Sequence, residues 1–238
     1  MRLLSRAKAL EASGEKVIRM EVGESDFDLP LPIAKSAIKA IKNGHSGYTE
    51  AQGLLSLREN ICRFYHDSFG VSIDPSRVFI TTGASGGLVL LTALLLNNYE
   101  HLLLSDPGYP CNANYALALG ADPVLIPVGA PTGFKLTTEL LRENWNSNTR
   151  GVLIGSPANP TGAVYSNQEL KELSRFIEAN SGFLLVDEVY QGITFEPLTW
   201  STALTVNPEI FTINSFSKLF GMTGWRLGWL VVPELACS

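Results

Sequence analysis

Short apolar runs alternate along this chain with longer stretches in which apolar residues recur every three or four positions. That is the pattern of strands interleaved with helices. The runs, bounded by Gly, Pro, Asn or Asp, predict strands at 78–81, 101–105, 123–127, 151–155, 183–187, 210–214 and 226–232. The helical period predicts helices at 32–43, 54–69, 85–96, 111–119, 137–144 and 166–180, and an amphipathic helix beginning at the basic N-terminal stretch. Helix 166–180 starts on a capping box, Ser166 with Glu169 three residues on. The longest apolar stretch, Leu88 to Leu96, is too short to span a bilayer and reads as a buried helix. Strand and helix units in alternation imply an α/β fold. No internal repeat, low-complexity tract or linker interrupts them.

Composition narrows this little further. With 238 residues, 45% hydrophobic and 17% charged, the chain can bury a sizeable core as one domain with at most a small appendage. A net charge of −5 supplies no basic footprint for nucleic acid. The start of the chain lacks the apolar core of a secretory signal. Cys62, Cys111 and Cys237 are scattered and odd in number, which suggests a reducing, cytoplasmic setting with neither a disulfide framework nor a metal site. His45, His66 and His101 are equally isolated, so no metal is expected.

Three segments carry candidate chemistry. In the stretch from Asn214 to Gly228, Lys218 sits among hydroxyls, glycines and apolar residues, with Arg226 eight positions on. A lysine short of water and near another cation is more readily neutral, hence nucleophilic toward a carbonyl. A half-buried lysine ending a strand is the plainer reading. Ser156-Pro157-Ala158-Asn159-Pro160-Thr161-Gly162 follows an apolar run and makes a rigid turn that can hold the Asn159 amide outward. Phe183 to Asp187 is a buried-strand pattern ending in a carboxylate, with Tyr190 three residues later. Ligands of open parallel sheets sit beyond the strands' carboxyl ends, although an Asp there is also a common helix cap. Finally, Thr82-Gly83-Ala84-Ser85-Gly86-Gly87 follows a strand and opens a helix, a weak anion-site signal.

In this order and spacing the motifs resemble the class I/II pyridoxal-phosphate-dependent aminotransferases of fold type I. Ser215-Phe216-Ser217-Lys218 and Met222-Thr223-Gly224-Trp225-Arg226 look most like the aspartate/aromatic I-gamma branch. The resemblance runs from about Val22 to the end. It implies a three-layer α/β/α large domain with a mostly parallel seven-stranded sheet at 46–238, and an N-terminal arm and part of a small domain at 1–45. It implies pyridoxal 5′-phosphate as cofactor, held at its phosphate by Gly83, Ala84, Ser85, Ser215, Ser217 and Arg226. Asp187 would pair with the ring nitrogen, Tyr109 would stack on the ring, and Asn159 and Tyr190 would bind its 3′ oxygen. Lys218 would hold the cofactor as an internal aldimine and then move the alpha proton, giving ping-pong transamination between an amino acid and a 2-oxo acid.

The same resemblance gives Gly23, in the segment Glu21 to Asp28, and Asn159 a part in binding the substrate carboxylate. It gives Tyr48 a reach to the phosphate of a neighbouring subunit, which implies a homodimer. A simple turn is the alternative for Gly23, and a solvent-facing loop tyrosine the alternative for Tyr48. Family members continue beyond the point where this sequence stops, into a C-terminal small domain with a substrate-binding arginine. The expectation is therefore a shortened chain with an intact cofactor cradle and a weakened grip on substrate. Two other functions stay open: a beta-lyase or aminocyclopropane-carboxylate-synthase-like enzyme with the same lysine, aspartate and arginine, and an inactive domain that pairs with a full-length aminotransferase. Neither a nucleic-acid nor a membrane partner is expected.

Overall fold

The computed structural model describes residues 2–20, 23–24, 27–195 and 200–237. Two helices, α1 (Arg2–Ala12) and α2 (Leu31–Lys42), precede the main body, and α2 buries none of its residues. Then follow α3 (Leu55–Phe69), β1 (Val78–Thr81), α4 (Gly83–Leu95), β2 (His101–Asp106), α5 (Pro110–Ala118), β3 (Asp122–Pro127), α6 (Thr138–Asn144), β4 (Thr149–Gly155), α7 (Asn167–Ala179), β5 (Phe183–Asp187), β6 (Phe211–Ser215) and β7 (Gly228–Val231). The seven strands form one sheet in the order β1-β7-β6-β5-β4-β2-β3. Pairings from β6 through β3 are parallel, and β7 runs antiparallel to both its neighbours.

Strand alternation sends successive side chains to opposite faces, and each face is covered by helices. Leu103, Val152, Ile154, Leu184 and Val186 pack against Leu170, Leu173 and Ile177 of α7 and Leu141 of α6. On the other face Leu102, Leu104, Leu153, Leu185, Phe211 and Ile213 meet Leu88 and Leu91 of α4 and Ala116 of α5. A third cluster joins α3 to the β1–β7 end, where Ile61 and Tyr65 pack on Val78, Trp229 and Val231. The result is the three-layer α/β/α arrangement. All residues of the three clusters lie between Leu57 and Val232.

The local causes are legible. Ser166 and Glu169 exchange the reciprocal capping bonds that start α7, and Gly70, in the left-handed region at φ 69°, ends α3. A Cβ on Gly87 would lie 2.7 Å from Ile213 Cδ1 and 2.9 Å from a Leu230 methyl, so glycine there lets α4 lie close on the sheet. The buried-helix expectation for 88–96 holds for one side of α4 only. Leu88 and Leu91 are buried, whereas Val89, Leu90 and Leu94 are exposed, because α4 presents a single face to the sheet. The last strand is shorter than its apolar run suggests, since Arg226 takes a left-handed backbone at φ 53° and cannot continue the pleat. No described helix is long and apolar enough to cross a membrane.

Candidate active site

The carboxyl ends of β1, β2, β4, β5 and β6 share one edge of the sheet, and the segments leaving them carry nearly all the polar residues singled out above. At the end of β1 the chain turns directly into α4. The Thr82 side chain makes no capping bond, so the first-turn amides at Gly83, Ala84 and Ser85 remain open donors. The Arg226 guanidinium lies over them: a Cβ built on Gly83 would fall 2.5 Å from Arg226 Nη2. Gly83 also adopts φ 72°, so two requirements select glycine there. Gly228 answers from β7, where a Cβ would meet Ala84 N and Gly83 C, both at 2.8 Å.

Two hydroxyls join this cradle. Ser215 ends β6 opposite Gly228. Its Oγ donates to Ser217 Oγ at 2.8 Å and accepts from Ser217 N at 3.0 Å. The α4 amides, Ser85, Ser215, Ser217 and Arg226 thus surround one locus with donors and one positive charge. Among the described residues Arg226 makes no ion pair; its Nη1 donates to the Thr223 carbonyl at 3.0 Å. Such a locus suits a phosphate.

Lys218 follows immediately. Its Nζ donates to the Gly23 carbonyl at 2.6 Å and lies 5.7 Å from the centre of the Tyr190 ring. Burial lowers its pKa; Glu24 pulls the other way, and Arg226 adds to the lowering. Thr223 donates to Glu24, so the segment around Gly23 is tied to the lysine loop at two points. Glu21, Val22, Ser25 and Asp26 of the same segment lie outside the described residues.

Asp187 closes β5, with Oδ1 accepting from Val189 N at 3.0 Å. Burial pushes its pKa up to about 6, and no described cation pairs with it. A half-buried carboxylate with only one backbone donor suits a cationic ligand group. Asn159 Nδ2 donates to Tyr190 Oη at 3.4 Å. The turn bearing Asn159 is fastened to β5 by Ser156 N donating to the Asp187 carbonyl at 2.9 Å. A hollow of about 380 Å³, lined by Pro157, Asn159, Val164, Tyr190, Ile193 and Phe195 among others, opens beside the pair. Tyr109 stands at the start of α5, its pKa raised by hydrogen bonding to Cys111, by burial and by charges that include that of Asp187.

The expected residues therefore converge, with one exception. Tyr48 is wholly exposed in the loop between α2 and α3, outside this group. Three contributors escaped the sequence reading. Glu24 bonds Thr223, and Tyr115 hydrogen-bonds Ser85 from α5. Glu188 is buried directly behind Asp187. Glu188 left a trace in the sequence as a second carboxylate ending an apolar strand, and Glu24 as a neighbour of Gly23 in the segment Glu21 to Asp28.

The site's geometry can be set beside known proteins. The family described as aminotransferase class I and II matches residues 15–238. A (5-formylfuran-3-yl)methyl phosphate transaminase of Methanocaldococcus jannaschii is 36% identical over 234 residues, covering 97% of this chain and 60% of the relative. A valine–pyruvate aminotransferase of Mycobacterium tuberculosis is 37% identical over 234 residues, covering 98% of this chain and 60% of the relative. The crystal structure of an aminotransferase from Mycobacterium tuberculosis superposes with a TM-score of 0.94 at 34% identity, covering 100% of this chain and 61% of that one. The chain thus spans about 60% of the length of the relatives it matches.

Proposed function

Because the chain belongs to the class I and II aminotransferase family, we propose that it binds pyridoxal 5′-phosphate and takes part in transamination between an amino acid and a 2-oxo acid. One observation carries the reading. A cluster of donors suited to a phosphate, a half-buried carboxylate with no ion pair among the described residues and a lysine of lowered pKa stand together along one sheet edge.

In this reading the open α4 amides, Ser85, Ser215, Ser217 and Arg226 hold the cofactor's phosphate. Asp187 would pair with its ring nitrogen. A positive partner would remove the penalty that burial places on the Asp187 carboxylate, returning its pKa toward the usual range. Tyr109 packs against the ring, and Asn159 with Tyr190 holds the 3′ oxygen between two donors. When bound, pyridoxal phosphate supplies a carbonyl that captures amines and a ring that accepts electron density from the substrate's alpha carbon.

Lys218 has two tasks. Its neutral amine would hold the cofactor through that carbonyl, with water as the leaving group, and as a free amine its Nζ would accept and return the substrate's alpha proton. Partial burial and the nearby Arg226 charge both raise the neutral fraction of that amine. The Gly23 carbonyl restrains it, and we assign Gly23 and Asn159 to binding of the substrate carboxylate.

We assign residues 1–45 to an N-terminal arm and part of a small domain, and residues 46–238 to the cofactor-binding large domain. The absence of buried residues in α2 supports that division. We assign Tyr48 to the site of a second copy in a homodimer, its full exposure being compatible with that reach, and the chain to the cytoplasm. The test is steady-state kinetics with an amino acid and a second 2-oxo acid. Transamination requires both and gives parallel lines in a double-reciprocal plot. Oxo-acid release continuing over many turnovers without a second acceptor would favour a lyase and overturn the proposal.

A further inference from the structure

Glu188 adjoins Asp187 but serves the interior. It is 1% exposed. Oε1 accepts from Ala203 N at 2.7 Å, Oε2 accepts from Gln191 Nε2 at 3.1 Å, and Thr202 Oγ1 lies 3.0 Å from both. Gln191 Nε2 also donates to the Ser201 carbonyl at 2.8 Å. The Gln191 amide can therefore point only one way, because reversing it would set its oxygen against two acceptors.

The consequence propagates. With its nitrogen committed, Gln191 Oε1 accepts from Asn214 Nδ2 at 2.8 Å, and Asn214 Oδ1 must then accept from Ser215 N at 2.7 Å. Ser215 Oγ holds Ser217 through its amide and its hydroxyl. Gln191, Asn214, Ser215 and Ser217 are all at least nine-tenths buried, so water offers no substitute partner. The next residue is Lys218.

We propose that Glu188 is a positioning residue for this site: through Gln191 and Asn214 it fixes the Ser215–Ser217 pair, and with it the lysine and the phosphate donors. What the pair holds rests on the transaminase reading; the relay rests on the chain's own contacts. The substitution Glu188→Gln is diagnostic because a carboxamide has one accepting oxygen where two donors need one each. The Ala203 backbone N–H cannot turn round, whereas side-chain amides can, so the conflict falls on Gln191 and passes to Asn214 and Ser215.

The experiment compares wild type, Glu188→Gln, Gln191→Leu and the double variant by peptide-resolved hydrogen exchange of the full chain without cofactor, and by absorbance titration with pyridoxal phosphate. We expect exchange about tenfold faster at the Ser215 and Ser217 amides with β4 and β5 unchanged, affinity about tenfold weaker, and a double variant no worse than either single one. Wild-type exchange in Glu188→Gln, equal acceleration in every strand, or additive losses would overturn the proposal. If wild type itself takes up no pyridoxal phosphate, the cofactor reading fails and the relay does not, since the exchange comparison needs no cofactor.

Discussion

Arg226 and Gly83 show how closely single residues are matched in this site. The guanidinium occupies the space that any side chain at position 83 would need. Gly83→Ala therefore adds a clash to left-handed strain of about 1–2 kcal/mol. It should weaken pyridoxal phosphate binding in an absorbance titration more than it lowers the melting temperature. Arg226→Lys keeps the charge and loses the planar fork, so the affinity should fall about tenfold. Asp187→Asn keeps the shape and removes the charge offered to the ring nitrogen. Cofactor should still bind through its phosphate, while single-turnover kinetics with an amino acid slow by roughly a hundredfold or more. An Asp187→Asn chain with wild-type turnover would remove Asp187 from the mechanism.

At the scale of elements, the hydrophobic pattern reports what packs and misses what does not. Runs such as 183–187 and 78–81 stand out because their strands alternate between two covered faces. The apolar period puts the start of α4 two residues late, since Gly83 and Ala84 add nothing to it although they supply amides of the proposed phosphate site. The direction of β7 left no mark, because antiparallel and parallel strands buried on both faces read alike. The site residues were legible as motifs, whereas the depth of Glu188 depends on Gln191, Thr202 and Ala203, which arrive from later in the chain. Gly87 yields a prediction at this scale. A valine there would push α4 off Ile213 and Leu230 and destabilise the fold by about 1–3 kcal/mol, measurable by denaturant unfolding.

For the molecule as a whole, two neighbouring carboxyls of raised pKa dominate the response to pH. Burial raises Asp187 to about 6 and Glu188 to about 8; hydrogen bonds from Ala203, Thr202 and Gln191 limit the rise of Glu188, and the neighbouring Asp187 charge adds to it. Tyr65 faces the same interior, its own pKa raised by burial and by Glu188. Between the ordinary carboxylate range and those values the folded chain holds more protons than the unfolded one. The stability of the cofactor-free chain should therefore fall, by on the order of a few kcal/mol, as pH rises from about 5 to 8. The depressed carboxyls Glu11, Asp74, Glu100, Glu139 and Glu169 act in the opposite sense and only toward acid, outside that window. Melting curves across the range check this, and Glu188→Gln should flatten the upper part of the slope.

Whether Lys218 and the cradle around it form a working pyridoxal phosphate site is decided by one spectrum. The most direct measurement is the visible absorbance of the purified chain with pyridoxal phosphate, before and after an amino acid and then a 2-oxo acid, with Lys218→Ala alongside. The expected result is a band that requires Lys218, is lost with the amino acid and is restored by the oxo acid. A band unchanged in Lys218→Ala, or no band in the wild-type chain, would contradict it.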